Sequence, residues 1–195
     1  MPFNKLRIRD DDVLVHSSQW PDPFARFRGF HNLVCQDVEH FIHVPAILVT
    51  EIQSFPASIE YIKEETTAGR MEPQIHGLKH IDYGKLSFNE VMDHLDECFQ
   101  FFRDHQLPKP TLFYTPWGAT QEHLHGAAAS RGLRLVDTSG IIHPGQARDS
   151  LKDHPEHLDW WQGKEILRHW WQSTGALNEF IKTYKKLTSK GDNNA

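Results

Sequence analysis

Short apolar segments alternate with longer amphipathic segments along almost the whole chain. Six segments have the apolar character of buried strands: Lys5–Arg9, Ala46–Glu51, Gln74–His76, Thr111–Thr115, Arg134–Val136 and Glu165–His169. Five longer segments carry apolar residues at helical spacing: Pro23–Phe41, Ala57–Ala68, Phe88–His105, Gln121–Arg131 and Ala176–Leu187. Such alternation with short connections predicts an α/β fold with a parallel sheet, either open or closed into a barrel.

One long stretch, Asp137–Gly163, interrupts this alternation. It is polar, rich in His, Gly and Pro, and contains Trp160-Trp161 near its end. Long irregular segments in compact domains often serve a functional site, so we expect a loop that covers one. We expect residues 1–188 to form a single domain and residues 189–195 to form a flexible tail.

The composition argues against several classes of protein. The 195 residues carry a formal charge of −5 and a pI near 6.3, which is not the basic signature of a nucleic-acid-binding protein. No run of about 18 apolar residues predicts a membrane span, and the first residues lack the apolar core of a signal peptide. We therefore expect a cytoplasmic protein in which Cys35 and Cys98 are reduced thiols.

Acidic residues and histidines follow two of the predicted strands. Asp10, Asp11 and Asp12 come after the first strand, and His76 and His80 lie where the third strand ends. Parallel α/β folds build their sites at the carboxyl ends of strands, so we expect these side chains to meet. Adjacent carboxylates repel unless a cation or shared proton lies between them, and one Asp with two His suits zinc. An acidic run alone also suits a solvated turn, but its coincidence with the histidines favours a metal-dependent hydrolase.

Four short motifs, in order, resemble those of the polysaccharide deacetylase family, the NodB-homology domain of carbohydrate esterase family 4. The matching segments are Asp11-Asp12-Val13, His76-Gly-Leu-Lys-His80, Phe113-Tyr-Thr-Pro-Trp-Gly118 and Ile166-Leu-Arg-His169. In that family the first motif supplies a general base and a metal ligand, and the second supplies two histidine ligands. The third shapes the substrate groove and offers a backbone N–H to the oxyanion, and the last carries the catalytic histidine. The resemblance implies a single-domain, NodB-like distorted (β/α) barrel.

The resemblance also implies a role for each matching residue. Asp11 would be the base and His169 the acid. The ligands of one divalent metal ion would be Asp12, His76 and His80; Zn²⁺ is expected, with Co²⁺, Mn²⁺ and Ni²⁺ as alternatives. The substrate and oxyanion region would contain Tyr114, Pro116 and Trp117, and Trp117 is the aromatic residue that we expect first to contact substrate.

The assignment of the acidic pair has one alternative register. A shift by one residue would make Asp10 the base and Asp11 the ligand. Val13, which matches a small or apolar residue of the family motif, favours Asp11 and Asp12.

Two departures from the family motifs concern the residues that support catalysis. The arginine of the third motif, which orients the catalytic Asp in the family, is Tyr114 here. Residues two apart on a strand share a face, so we predict that Arg9 pairs with Asp11 in its place. Arg168 is a weaker candidate, and a purely electrostatic role of Arg9 beside the acids remains an alternative. The family has one more motif, its fourth, which supports the catalytic histidine and is not clearly matched here; Asp137 is the nearest candidate.

Together these residues imply a hydrolase that removes an N-acetyl group from a sugar or glycan precursor. Without an export signal, the expected partner is a soluble N-acetylated saccharide or a nucleotide-sugar, with no nucleic acid. The alternatives are a hydrolase of another C–N amide bond, a catalytically silent carbohydrate-binding protein, and a structural protein with a coincidental pattern.

Overall fold

The computed structural model describes residues 5–14, 17–136, 141–155 and 164–191. The strands in this part of the chain are β1 (Leu6–Asp10), β2 (Phe41–Leu48), β3 (Gln74–Gly77), β4 (Leu112–Phe113), β5 (Arg134–Leu135) and β6 (Glu165–Leu167). All neighbouring pairs are parallel, and together they form one sheet in the order β5-β4-β3-β2-β1-β6.

The sheet curls on itself. Three strands separate β4 from β6 in the sheet, yet the Tyr114 hydroxyl just after β4 donates to Glu165 Oε1 on β6 at 2.5 Å. Within the described residues, no ladder joins β5 to β6, so the barrel is open along that seam. The predicted fold class, a distorted (β/α) barrel with a parallel sheet, is confirmed.

Helices cover the outer face of the sheet. They are α1 (Pro23–Val34), α2 (Val49–Ile52), α3 (Pro56–Thr67), α4 (Phe88–Asp104), α5 (Glu122–Ser130), α6 (Pro144–Asp153) and α7 (Gly175–Gly191). The best-defined start is that of α4, where Ser87 and Glu90 form a reciprocal capping box. None of the described helices combines the length and the apolar character that a membrane span requires.

Side-chain alternation along β1 separates two interiors. Leu6 and Ile8 are fully buried in the large apolar core beneath the helices. Arg7 and Arg9 point the other way, into the curl of the sheet, where Arg7 pairs with Glu72 and Glu165. The inside of the barrel is therefore partly charged, and this charged layer lies directly below the carboxyl end of β1.

Two helix ends lie several residues from their predicted positions. The first helix ends at Val34 rather than Phe41, because Phe41 begins β2 and packs its ring against Phe180 and Tyr184 of α7. The last helix continues to Gly191, so residues 189–191 of the expected tail are helical.

The stretch expected to be irregular contains a helix. Within Asp137–Gly163, α6 begins with a reciprocal cap between His143 and Gln146 and buries Ala147 and Leu151, four residues apart. Histidine is an unusual capping residue, so the sequence pattern does not predict a helix that starts here. Asp137 and Trp160-Trp161 lie outside the described residues.

Candidate metal centre

The site lies at the carboxyl ends of four strands. Asp11 and Asp12 follow β1, and His76 is the next-to-last residue of β3. A 3₁₀ turn, Pro116–Gly118, follows β4, and His169 follows β6 by two residues. The loops after parallel strands are where α/β folds place functional groups, and this placement agrees with the sequence prediction.

Asp12 is the point on which the histidines converge. Its Oδ1 lies 3.0 Å from His76 Nε2 and 3.0 Å from His80 Nε2. His169 Nε2 approaches the other carboxylate oxygen at 3.6 Å. Asp12 has a left-handed backbone (φ 58°), a conformation that Asp tolerates better than most residues.

The three donors suit a small divalent cation. One ligand atom each from Asp12, His76 and His80 lies within 4.8 Å of the other two. Two ligand atoms that share a tetrahedral zinc ion are about 3.3 Å apart, close to the observed 3.0 Å. The nitrogen and oxygen donors also match the borderline character of zinc, so these residues fit the metal that the sequence implies.

A backbone carbonyl fixes the tautomer of His76. Its Nδ1–H donates to the Tyr114 carbonyl at 2.6 Å, so in the neutral ring the lone pair is on Nε2 and faces Asp12. Two acceptors at 3.0 Å repel each other unless a cation or proton lies between them. This is the arrangement of a metal-binding histidine whose second nitrogen is held by an outer hydrogen bond.

Electrostatics favour the charged form of Asp12. Burial alone would raise the pKa of Asp12, but hydrogen bonding to His76 and the charges of the facing histidines outweigh it and lower that pKa. Burial lowers the pKa of His169, against the opposing effects of Asp12 and Asp11. Asp12 is therefore held ionised, and a proton on His76 Nε2 has to leave before that nitrogen can bind a metal.

A glycine shapes the turn between the two candidate ligands His76 and His80. Gly77 has φ 143°, and a Cβ there would lie 2.6 Å from the Tyr83 hydroxyl. That hydroxyl accepts the N–H of Leu78 at 2.7 Å and so holds the loop. Further along, the ring of His80 packs on Trp117, with 4.5 Å between centroids.

Arg9 forms the pair with Asp11 that the strand pattern predicts. Its Nε and Nη2 donate to the two carboxylate oxygens at 2.6 and 2.5 Å, with Arg9 1% and Asp11 6% exposed. The guanidinium also stacks on the ring of Tyr114 at 3.9 Å and lies 3.9 Å from a Glu165 oxygen. The tyrosine that stands at the position of the family arginine therefore packs against the arginine that pairs with Asp11.

These residues surround one open cavity of about 360 Å³. Its lining comprises Arg9, Asp11, Asp12, His76, His80, Thr115, Trp117, Gly118, Ile141, Leu167 and His169. Trp117 is 68% exposed at its mouth and has a left-handed φ of 54°, a strained conformation for an aromatic residue. Seven of the residues singled out in the sequence thus meet in one place.

Other residues singled out in the sequence lie elsewhere. Tyr114 and Pro116, which the sequence assigns to the substrate region, are buried and are not among the residues that line the cavity. Arg168 donates to the Ser173 carbonyl instead of to Asp11. Asp10 is fully buried on the opposite side of β1 from the cavity, and burial raises its pKa well above the usual range.

Sequence reasoning missed Glu165, Thr115 and Leu167. Glu165 had a readable signal, because it shares a strand face with Leu167 in the segment that leads to His169. Its partners, Tyr114 and Arg9, lie far from it in the sequence, and no sequence spacing reports them.

Comparison with known proteins gives one related sequence and many related structures. No protein-family model matches the chain. A bifunctional xylanase/xylan deacetylase from Cellvibrio japonicus is 26% identical over 118 residues, 60% of this chain. The chain spans only 18% of that relative's length.

Solved structures resemble nearly the whole chain. A family 4 carbohydrate esterase from Streptomyces lividans, in complex with acetate, has a TM-score of 0.67 at 18% identity, covering 96% of this chain and 90% of that one. The chitin deacetylase of Colletotrichum lindemuthianum has a TM-score of 0.68 at 12% identity, covering 96% and 84%. A family 4 pseudoenzyme from Bacillus anthracis has a TM-score of 0.64 at 15% identity, covering 98% and 63%. The resemblance predicted from the motifs is confirmed: the chain has the fold of the family 4 carbohydrate esterases, the fold of polysaccharide deacetylases.

Proposed function

We propose that this protein is a metal-dependent deacetylase of acetylated saccharides. One observation carries the proposal: the Asp12, His76 and His80 donors converge beside the buried Asp11–Arg9 pair and His169 in a single open cavity. A buried carboxylate held by an arginine, a cation site and a histidine are groups that can together carry out amide hydrolysis. The fold, shared with deacetylases, supports the same chemistry.

In this proposal Asp12, His76 and His80 hold the cation. When bound, a divalent ion supplies Lewis-acid chemistry, in that it polarises the acetyl carbonyl and makes water more acidic. The Tyr114 carbonyl keeps His76 in the tautomer that leaves Nε2 free for this role.

The remaining residues move protons and stabilise charge. Asp11, oriented by both guanidinium hydrogen bonds from Arg9, accepts a proton from the attacking water. In this proposal the backbone N–H of Trp117, in the turn after β4, donates to the oxyanion. His169 then protonates the leaving amine, which departs poorly as an anion.

The aromatic mouth of the cavity favours a saccharide as substrate. The exposed ring of Trp117 offers a flat apolar surface on which the C–H groups of a sugar can pack. We infer an N-acetylated saccharide, either an oligomer such as that attacked by the chitin deacetylase or a nucleotide-sugar.

Acetate release tests the proposal. Purified protein with added Zn²⁺ is assayed on N-acetylated chitooligosaccharides, acetylated xylan and a UDP-N-acetylhexosamine, with Asp11→Asn as the inactive control. We expect acetate from at least one N-acetylated substrate and a loss of about 10²-fold or more in Asp11→Asn. No acetate from any substrate, or equal release by the variant, would overturn the proposal.

A catalytically silent carbohydrate-binding protein is the second candidate. Two observations favour it: Tyr114 stands in place of the motif arginine, and a pseudoenzyme shares the fold. This candidate predicts chitooligosaccharide binding that weakens in Trp117→Ala, with no acetate release. Hydrolysis of acetamide or another simple amide without sugar turnover would instead indicate a different C–N hydrolase.

A further inference from the structure

The loop that carries His169 is attached to the end of β1 by three hydrogen bonds. The Trp170 amide N–H donates to Asp10 Oδ1 at 2.8 Å, and the Trp170 indole N–H donates to the Asp12 carbonyl at 2.8 Å. Before it, the Arg168 N–H donates to the Arg9 carbonyl at 2.9 Å. Only the first of these bonds uses a side chain of β1.

Asp10 is a costly residue at this position. It is fully buried, and burying a carboxyl group is unfavourable unless it satisfies a partner. Its Oδ2 lies 3.5 Å from His43 Nε2, and among the described residues neither atom has a hydrogen-bond partner. The bond to the Trp170 amide is thus the one hydrogen bond that the described structure gives to the Asp10 side chain.

His43 is itself held in place from behind. Its Nδ1 lies 3.0 Å from His31 Nδ1, and His31 Nε2 lies 2.9 Å from Glu65 Oε2. Because Glu65 accepts from His31 Nε2–H, His31 Nδ1 accepts from His43, and the lone pair of His43 Nε2 faces Asp10. A row of polar groups from α3 and α1 therefore fixes the ring of His43 beside the carboxyl group of Asp10, on the side away from the cavity.

We propose that Asp10 is a positioning residue for His169, acting through its hydrogen bond to the Trp170 amide. This inference rests on the proposed function. His169 lies between two anchored neighbours, so the direction of its ring depends on the path of the backbone through Trp170. A misplacement of about 1 Å can lower turnover by about 10²-fold, which makes one such anchor sufficient to matter. Asp10 thus supports the histidine that the unmatched fourth motif supports in related sequences.

Two substitutions separate the acceptor from the volume of the side chain. Asp10→Asn keeps an oxygen that can accept from the Trp170 amide, and its own amide N–H can donate to His43 Nε2. Asp10→Ser is small enough to fold without overpacking, but its hydroxyl is too short to reach that amide. We expect kcat to fall by about 10²-fold in Asp10→Ser, with KM and metal content within about twofold of wild type, and Asp10→Asn to restore most of the turnover.

A double-mutant comparison tests whether the effect passes through His169. In a His169→Ala background, Asp10→Ser should lower kcat no further, because the residue it positions is already gone. If Asp10→Ser lowers kcat by the same factor in both backgrounds, or if Asp10→Asn is as impaired as Asp10→Ser, the inference is wrong.

Hydrogen exchange gives a readout that needs neither substrate nor metal. The Trp170 amide should exchange at least about tenfold faster in Asp10→Ser than in wild type or Asp10→Asn. Unchanged protection of that amide in Asp10→Ser would overturn the inference, whatever the activity. If wild type releases no acetate from any substrate, the proposed function fails, and this exchange measurement alone decides whether Asp10 anchors the loop.

Discussion

Arg9 lies on the inner face of β1, two residues before Asp11. Its Nε and Nη2 groups each donate a hydrogen bond to one oxygen of that carboxylate. Such a bidentate pair fixes the direction of a carboxylate as well as its charge. In the family that the motifs resemble, an arginine of the third motif orients the catalytic Asp, whereas here the guanidinium comes from the strand that leads to Asp11. Tyr114 then packs on the guanidinium from across the barrel. This pairing can be predicted from the sequence, because Arg9 and Asp11 are two residues apart and share a strand face, and because Tyr114 stands where the family has its arginine.

Removing the guanidinium should impair chemistry more than metal binding. We expect Arg9→Met to lower kcat by about 10²-fold and to cost about 3 kcal/mol of stability, because a buried carboxylate is left unpaired. Metal content should stay near that of wild type, since Arg9 touches none of the three ligands.

Arg7→Met is the matched control for Arg9→Met. Arg7 shares the strand face of Arg9 but pairs with Glu72 and Glu165, below the cavity. Steady-state kinetics should show turnover of Arg7→Met within about threefold of wild type. Intact turnover in Arg9→Met would contradict the role assigned to this pair.

At the scale of elements, the turn after β3 sets the spacing of His76 and His80, the two proposed histidine ligands. Gly77→Ala would place a methyl group 2.6 Å from the Tyr83 hydroxyl and 2.8 Å from its ring, at a φ of 143°. We expect a loss of about 2–4 kcal/mol in unfolding free energy together with weaker metal binding, because His76 and His80 flank this turn.

The control for Gly77→Ala lies in a helix. Gly29 is exposed in α1, with nothing within 4 Å of an added Cβ, so Gly29→Ala should be stabilising by about 0.5–1 kcal/mol. Urea unfolding of both variants and metal titration provide the comparison. Normal metal affinity in Gly77→Ala would show that the turn does not set the ligand spacing.

The order and type of most elements could be predicted from the sequence, but their ends could not. Helical spacing predicts a first helix that reaches Phe41, but the helix ends at Val34. Phe41 instead pairs with Leu6 in the β1–β2 ladder and packs its ring on Tyr184. The start of α6 was missed because His143 and Gln146 form its cap, a pair with weak sequence signal. Tertiary contacts decide both cases, and a single sequence does not report them.

At the scale of the whole molecule, the curled sheet brings distant charges together. Glu165 on β6 meets Tyr114 across the open barrel and approaches Arg9, while Arg7 links it to Glu72. The sequence predicted which strand ends would converge, because parallel strands share an edge. It could not predict this layer below the site, because the layer depends on how tightly the sheet closes.

Glu65 ties two outer elements together and should make stability depend on pH. Hydrogen bonds from Arg70, and then from His31, lower the pKa of Glu65 to about 2 against the opposing effect of burial. Because the folded-state pKa is lowered, this contribution is fully present above pH 4.5, the ordinary value, and is lost as the pH falls through about 2.

The variant that removes this charge is Glu65→Gln. We expect the free energy of unfolding to fall by about 1–3 kcal/mol at pH 7 and by less at pH 3, measured by urea unfolding. Glu60→Gln, at an exposed position of the same helix, is the control and should change little at either pH. An equal loss for Glu65→Gln at both pH values would rule out the ion pair as its cause.

Metal content in two variants tests the site most directly. Elemental analysis after dialysis should find about one equivalent of a divalent metal in wild type and in Asp11→Asn, because Asp11 is the proposed base and not a ligand. His76→Ala should retain little metal, since it removes one of the three donors that converge on Asp12. Equal metal loss in Asp11→Asn and His76→Ala, or a wild-type protein that binds no divalent metal, would contradict the assignment.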